Sequence, residues 1–338
     1  MTETGRVISL GSILVDVAVE VPRLPERGAD VLATATRTQV GGGFNLAAAA
    51  ARHGARCVYG SPHGTGLHGD LVRAALAEEG IEAAGGRRDG GDTGFCLIMV
   101  EPDGERTFVT MPGVEACLTP GDLATLRPGP ADFVAVSGYD LAYPVSGPVL
   151  AAWLTGLPPY ARVALDPGPL VAEIPADRLR AALGRLSVLT LNQREARLLA
   201  TPARPDETDG ATETGGTSGT GRADGAGAGV DRLSGAALVE AVRRHPALAA
   251  DAVVVVREGA LGCHAGGGPL GDRIIAVPAP RVKAVDTTGA GDAHTGVLLA
   301  ELVSGTALDE ALVAANRAAA VAVTLPGSAT APRRPPSP

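Results

Sequence analysis

Val285-Asp286-Thr287-Thr288-Gly289-Ala290-Gly291-Asp292-Ala293-His294-Thr295-Gly296 joins an apolar run ending in acid and threonine to a glycine turn, and the turn to an apolar helix over 297–303. Small residues let backbone N–H groups come close to an anion, and the helix that follows points its positive end the same way. An aspartate would repel a resting phosphate there, so Asp292 reads as a group that handles a proton. Taken alone, Asp292 fits a helix N-cap equally well. The layout suits movement of a phosphoryl group onto a hydroxyl.

Outward from this stretch, strands and helices alternate. Strand-like runs occur at 7–10, 133–137, 163–165, 188–191 and 253–256. Asn45 opens an alanine-rich helix over 46–53 that stops at Gly54, and Asp70 opens another over 71–79 that stops at Gly80. Thr306 and Asp309 have capping-box spacing before a helix over 310–323. Such alternation predicts a parallel sheet covered on both faces. Two regions differ. Val15, Val17, Val19 and Val21 alternate with Asp16, Ala18 and Glu20, a strand with one apolar face and Asp16 on the other. The run 95–100, the turn Pro102-Asp103-Gly104 and the run 107–110 read as a hairpin. These pieces predict a small β lid outside the main sheet, from about 12–40 and 92–112.

From 202 to 231 the chain becomes Gly/Thr/Ala/Asp-rich with almost no apolar residues, which predicts a disordered insertion within the fold. The tail 331–338 also reads as loose.

The 338 residues carry a net charge of −8, which disfavours a nucleic-acid backbone as partner. No apolar run approaches the roughly 20 residues of a membrane span, and no signal peptide is evident, so a cytoplasmic location is expected. Cys57, Cys96, Cys117 and Cys263 lie too far apart in sequence for a metal knuckle and read as separate core residues in a reducing compartment. The only lysine is Lys283, preceded by Val282, so a Walker A loop is excluded. Gly64-Thr65-Gly66-Leu67-His68-Gly69 formally matches a dinucleotide fingerprint. Ser61-Pro62-His63 interrupts its strand-to-turn junction, and Glu82, near the expected acidic offset, falls in a loop, so an oxidoreductase is a weak competitor.

The signature from Asp286 resembles that of the ribokinase-like (PfkB) family of carbohydrate and nucleoside kinases. Other segments resemble the family in the same order: Gly11-Ser12 with Asp16, Gly41-Gly42-Gly43-Phe44-Asn45, Asn192-Gln193-Arg194-Glu195, and Ala315-Asn316-Arg317 followed by Pro326-Gly327-Ser328. Together they span 7–328. The resemblance implies a three-layer αβα sandwich over 1–330, with a mostly parallel central sheet and a small β-sheet lid over the acceptor. It also implies ATP with Mg²⁺ as donor, a monovalent cation such as K⁺ near Asp286, and a homodimer built through the lid. The chain departs from the pattern in three places. His294 stands where the family often has phenylalanine. Gly41–Asn45 is one residue shorter than the ribokinase form and lacks its lysine. The segment 64–69 lacks the acid of the family's Gly-x-Asp-x-x-Gly.

On this basis Asp292 is expected to be the general base, with Gly289, Ala290 and Gly291 donating amides to the transferring phosphoryl. Asp16 is expected to accept hydrogen bonds from substrate hydroxyls, with Asn45 as a second contact and Gly42 and Gly43 giving close approach to backbone. Asp140 is a weaker candidate for the same face. Asn192 and Glu195 are expected near Mg²⁺ and the phosphates, Glu195 through water, unless they form only a capping arrangement. Arg257, Gly259 and Gly262 are expected to shape the nucleotide pocket, and Asn316 to lie near adenine. The acceptor reads as a small sugar, because sparse aromatics offer few platforms for a base. A nucleoside kinase and a non-catalytic sugar-binding protein are the alternatives.

Overall fold

The structure is a computed structural model that describes residues 5–201 and 230–334. Strand β1 (Arg6–Ser9) leaves the main sheet through Gly11-Ser12. The chain then builds β2 (Ile13–Glu20) and β3 (Ala35–Gly42) and turns directly into helix α1 (Gly43–Arg52). Next come β4 (Arg56–Tyr59), α2 (Leu67–Glu78) and the short β5 (Glu82–Ala83), followed by the hairpin β6 (Phe95–Val100) and β7 (Arg106–Met111). Helix and strand then alternate through α3 (Pro120–Ala124), β8 (Phe133–Ser137), α4 (Gly138–Ala142), α5 (Ser146–Gly156), β9 (Arg162–Asp166) and α6 (Ala176–Leu183). They continue with β10 (Val188–Asn192), α7 (Gln193–Ala200), α8 (Gly235–Arg243) and β11 (Val253–Arg257). A meander of β12 (Cys263–Gly266) and β13 (Ile274–Val277) precedes α9 (Ala290–Val303) and α10 (Leu308–Ala322).

The main sheet of the described residues runs β13-β12-β11-β10-β9-β8-β1-β4-β5. It is parallel except where β12 and β13 turn back at one edge. Alternate residues of its strands enter opposite cores. Val7, Val253 and Val255 pack with α1, α2, α9 and α10 on one face. Ile8, Val254 and Val256 pack with α5 to α8 on the other. A valine-rich strand apolar on both sides is what such double coverage requires. This is the αβα sandwich expected from the sequence.

The lid is a separate sheet, β3-β2-β6-β7. β2 runs antiparallel to β3 and parallel to β6, and β6 and β7 form the expected hairpin. β2 is buried on both faces over Ile13–Asp16 and becomes exposed only toward Glu20, so the face with Asp16 is not the solvent face that the alternation suggested. Leu14, Cys96 and Ile98 form a small apolar cluster there, and Asp16 is 7% exposed among them.

Several boundaries differ from the sequence reading. α1 begins at Gly43 rather than Leu46, because Gly42 adopts φ +60° and turns strand straight into helix. α2 begins at Leu67, before Asp70, because Asp92 from a distant loop binds its first amides. The capping box before α10 is absent. Thr306 Oγ1 donates instead to Glu301 Oε2 at 2.5 Å, and Ala307 stands at the N-cap. The expected loose tail is anchored through 331–334. Ala331 is buried against Ala49 and Ala293, and Arg334 N donates to Arg52 O at 2.9 Å. Most of the expected 202–231 insertion lies outside the described residues, and Val230 and Asp231 belong to a short 3-10 turn.

α1 and α9 lie so close that a Cβ at Gly296 would press into the Leu46 carbonyl oxygen and within 2.8 Å of the Ala49 methyl. Gly296→Val is therefore expected to lower unfolding free energy by about 3 kcal/mol. A Cβ at Gly156 meets nothing within 4 Å. Gly156→Ala is the control and should leave the urea midpoint within about 0.5 kcal/mol of the parent or above it. Equal midpoints for the two variants would contradict the close crossing.

Candidate active site

The carboxyl ends of β1, β8, β9, β10 and β11 open onto one cleft of about 390 Å³, roofed by the lid. β1 lies between β4 and β8, where the sheet order reverses, and loops part at such a point to leave a crevice. A second hollow of about 400 Å³ lies beside α8 near the amino end of β11, at the opposite edge of the strands from the glycine turn.

Gly289 closes the turn in the left-handed region (φ +73°), and α9 starts at Ala290. Among the described residues the amides of Gly289, Gly291 and Asp292 have no acceptor, while Ala290 N donates to Thr287 O at 3.2 Å. Ala290, expected as an anion donor, thus has its N–H turned into the loop. The open donors are those of Gly289, Gly291 and Asp292 itself, at the positive end of a fourteen-residue helix.

Asp292 faces the cleft from the first turn of α9. Asn45 Nδ2, from α1, donates to its Oδ2 at 3.2 Å. Burial pushes the Asp292 carboxyl up to about 7; the Asp166 charge adds to the rise, and Asn45 and Arg257 oppose it. The carboxylate is thus poised near neutrality. Asn45 Oδ1 is buried without a partner among the described residues.

Asp16 lines the same cleft from the lid. Ser328 Oγ donates to its Oδ2 at 3.2 Å, and Gln39 Nε2 donates to that hydroxyl at 2.6 Å. Burial raises the Asp16 carboxyl to about 6 against the Ser328 bond. Gly41 has no room for a side chain because the Asp16 carboxylate occupies that space. Gly42 and Gly43 do line the cleft, but a Cβ on either would first meet the backbone of Ser12 or Gly11. Their lack of side chains serves the crossing of β2 and α1 in the first place.

Asn192 and Glu195 form a reciprocal capping box. Asn192 N donates to Glu195 Oε2 at 2.8 Å, Asn192 Nδ2 to Oε1 at 2.6 Å, and Glu195 N to Asn192 Oδ1 at 2.9 Å. The capping alternative is therefore present, at the cleft wall. Burial and the Asp166 charge raise the Glu195 carboxyl above its usual range.

Arg257, at the end of β11, gathers this region. Its Nη1 donates to Asp166 Oδ2 at 2.7 Å, Thr295 Oγ1 at 3.1 Å and Gly291 O at 3.2 Å, and its Nη2 lies 3.6 Å from Glu195 Oε2. Burial works against the charge, but Asp166 and Glu195 outweigh it and the guanidinium stays charged. Asp166, at the end of β9, went unnoticed in the sequence. A Leu-Asp-Pro-Gly end to a predicted strand was the available signal.

Three expected nucleotide contacts stand outside the cleft. Gly259 opens a short turn after β11, and Gly262 (φ +100°) lies against Val277 O, where a Cβ would collide. Asn316 is buried in α10, and its Nδ2 donates to Val277 O at 2.8 Å. Its amide thus ties α10 to β13. Asp140 is fully buried, accepting from Ser12 Oγ at 2.5 Å, and it holds the Gly11-Ser12 turn rather than facing substrate. His294 is buried, and neither ring nitrogen has a hydrogen bond of normal geometry among the described residues. Burial and Arg257 lower it to about 3, although the nearby Asn316 amide favours protonation, so the ring is neutral.

The Gly64–Gly69 segment is not a dinucleotide site. Asp92 Oδ1 accepts from Gly66 N at 3.2 Å and Gly69 N at 2.9 Å, and its Oδ2 accepts from His68 N at 2.9 Å. The amides a pyrophosphate would need are already held by a carboxylate, which also supplies the acid the segment itself lacks.

Sheet order, lid and glycine turn together define a sugar-kinase-like α/β protein. The model of the pfkB family carbohydrate kinases matches residues 4–222 and 228–334. The chain is 30% identical to the uncharacterized sugar kinase YegV of Escherichia coli K12, over 99% of this chain and 93% of that protein. It is 29% identical to the ribokinase of Haemophilus influenzae, over 94% and 92%. Among solved structures, ribokinase from Thermotoga maritima superposes with a TM-score of 0.76 at 22% identity, covering 97% of this chain and 96% of that one. Arabidopsis thaliana ribokinase, complexed with ribose and ATP, gives 0.73 at 23%, covering 98% and 96%. The chain belongs to the pfkB family of carbohydrate kinases, phosphotransferases with a hydroxyl acceptor.

The raised Asp292 carboxyl has a consequence for stability. Between about pH 4 and 7 the folded state keeps a proton that the unfolded state has lost, so this group's contribution falls as pH rises through that window. Asp292→Asn removes that loss. The variant should melt with the parent at pH 4 and gain on the order of 4 kcal/mol over it by pH 8. A difference that stays flat with pH would show that Asp292 titrates as an ordinary carboxylate.

Proposed function

We propose that the protein transfers the γ-phosphoryl of ATP to a hydroxyl of a small sugar. Asp292 takes the hydroxyl proton while the amides of Gly289, Gly291 and Asp292 hold the arriving group. The observation that carries this is the placement of Asp292, raised to about 7, beside unpaired helix amides in the cleft that Asp16 roofs. A base poised near working pH combines availability with proton affinity. Asp16 and the open Asn45 Oδ1 supply acceptors for further hydroxyls of a polyol. The lid closes the acceptor from water that would otherwise take the phosphoryl.

The acidic walls suit a cation-bearing donor. Asp16, Asp166, Glu195 and Asp292 share the cleft with Arg257. Among the described residues no three acidic, histidine or cysteine side chains are placed to hold a metal by themselves. Mg²⁺ would arrive on the phosphates and meet Asp166 and Glu195 through water, since both Glu195 oxygens already bond Asn192. When bound, it neutralises charge on the transferring group. The buried Arg257 holds Gly291 from below and sets the field at Asp292. Gly259 and Gly262 would border the nucleotide only beyond this wall.

A nucleoside acceptor keeps one specific observation in its favour. Phe108, Tyr139 and Tyr143 all line the cleft, a concentration that the low overall aromatic content conceals. Val109 and Met111 are half exposed on β7, and we assign this lid strand as the face for a homodimer. No described helix is long and apolar enough to cross a membrane. The unpaired cysteines and the need for ATP fit a cytoplasmic location.

The test is ADP release over a panel of aldoses, ketoses, sugar acids and nucleosides. One acceptor should raise turnover well above the ATP-only rate. Asp292→Asn should then lower kcat by about 10²- to 10⁴-fold with the fold intact, and parent activity should rise with pH around a midpoint near 7. Silence across the whole panel favours a sugar-binding protein without turnover. An Asp292→Asn variant that keeps most of its rate removes the base.

A further inference from the structure

The signature turn carries its own cation. Arg106, on lid strand β7, reaches across to the loop before α9. Its Nη2 donates to Asp286 Oδ1 at 2.7 Å and its Nη1 to Thr288 Oγ1 at 2.7 Å. Asp286 Oδ1 also accepts from Thr288 N at 2.8 Å, and its Oδ2 accepts from Gly327 N at 2.9 Å. The carboxylate is therefore met by a guanidinium and two amides, and the Thr288 hydroxyl is engaged as well.

A monovalent metal ion near Asp286 is what the family resemblance implies, and these residues do not fit one. An alkali cation needs oxygen lone pairs facing a space it can fill. Here a like-charged group with fixed geometry stands on the carboxylate and hydroxyl that would serve. Arginine cannot give up its charge, and its planar fork binds two acceptors at once. The Arg106 side chain is 23% exposed and that of Asp286 15%, so the pair is screened far less than a surface pair.

We propose that Arg106 serves as the built-in monovalent cation of this kinase, fixing Asp286 and Thr288 so that the amides of Gly289, Gly291 and Asp292 keep their aim without K⁺. Arg106 is a positioning residue: it touches the turn and acts through it on the transferring group. Because it belongs to the lid, it also ties the acceptor roof to the anion site, so the turn is fully braced only when β7 lies in place. The catalytic part of this inference rests on the proposed kinase reaction; the ion preference does not.

Two readouts separate those parts. The first is thermal melting of the full chain in KCl and in tetramethylammonium chloride at equal ionic strength. The parent should melt alike in both, whereas Arg106→Ala should melt lower and regain part of the loss in KCl. The second is turnover with whichever acceptor the panel identifies. Parent kcat should agree within about twofold between the two salts. Arg106→Ala should lose about tenfold or more in kcat and recover severalfold with K⁺ or guanidinium, and Arg106→Lys, which keeps the charge without the planar fork, should fall between Arg106→Ala and the parent. K⁺-specific stabilisation or stimulation of the parent overturns the inference. So does an Arg106→Ala protein with parent kcat, or a loss that neither ion restores, which would leave Arg106 a plain structural tie. Should Arg106→Ala fail to fold, the parent salt comparison and Arg106→Lys still decide. Should no acceptor be turned over, the kinase reading fails while the melting comparison continues to test the ion site.

Discussion

The site depends on the close crossing of α1 and α9. The two helices meet through small residues, with Gly296 against the Leu46 carbonyl and the Ala49 methyl. Larger side chains would hold helix axes farther apart. That approach brings Asn45, near the start of α1, within 3.2 Å of Asp292, near the start of α9. Two helix N-termini thus converge at the carboxyl ends of the parallel strands. Their positive dipole ends add there, beside the unpaired amides of α9. The alanine run of α1 thus shapes the cleft as much as the glycine turn does.

The electrostatics follow from this convergence. A helix N-terminus normally stabilises a carboxylate, yet the Asp292 carboxyl is raised, because burial and the Asp166 charge exceed what Asn45 and Arg257 return. Asp166 and Glu195 meanwhile keep Arg257 charged and immobile under Gly291. The carboxylates of one cleft therefore do different work. One pair fixes a cation beneath the turn, one faces the turn with a high proton affinity, and one is held in the lid by Ser328. Neighbouring acids with separated proton affinities are how a single site can both bind charge and move a proton.

Much of this was legible in the sequence. The glycine turn, the alternation of strands and helices and the lid strand carrying Asp16 depend on local pattern and lie where the pattern put them, whereas Asn45, expected to open α1, is its third residue. What escaped was non-local. Asp92 caps α2 from a loop that no spacing rule connects to it. Arg106 and Asp286 are 180 residues apart in sequence. Asp140 follows a strand as a substrate contact would, yet it is buried under Ser12. Asn316 looks like a polar residue awaiting a ligand, but a strand carbonyl already satisfies it. Residue type restricts what a side chain can bond, whereas tertiary packing decides which partner arrives first.

The glycines make the same point in backbone terms. Gly42 and Gly43 read as a device for admitting substrate, but each glycine of 41–43 is bare for its own reason: the Asp16 carboxylate, the Ser12 carbonyl and the Gly11 backbone. Gly289 differs, because its positive φ shapes the turn and its Cβ direction meets nothing closer than Asn45 at 3.5 Å. The first three bring lid, strand and helix into register, and the fourth leaves the amides open. Arg106 and Gly327 brace the turn from the Asp286 side, and Asn45 braces it from the Asp292 side. The donors between these two anchors belong to a backbone with little freedom to reorganise. Amides fixed before the anion arrives stabilise it more than amides that must first turn toward it. The glycines that open the turn work only because others let its neighbours close in on both sides.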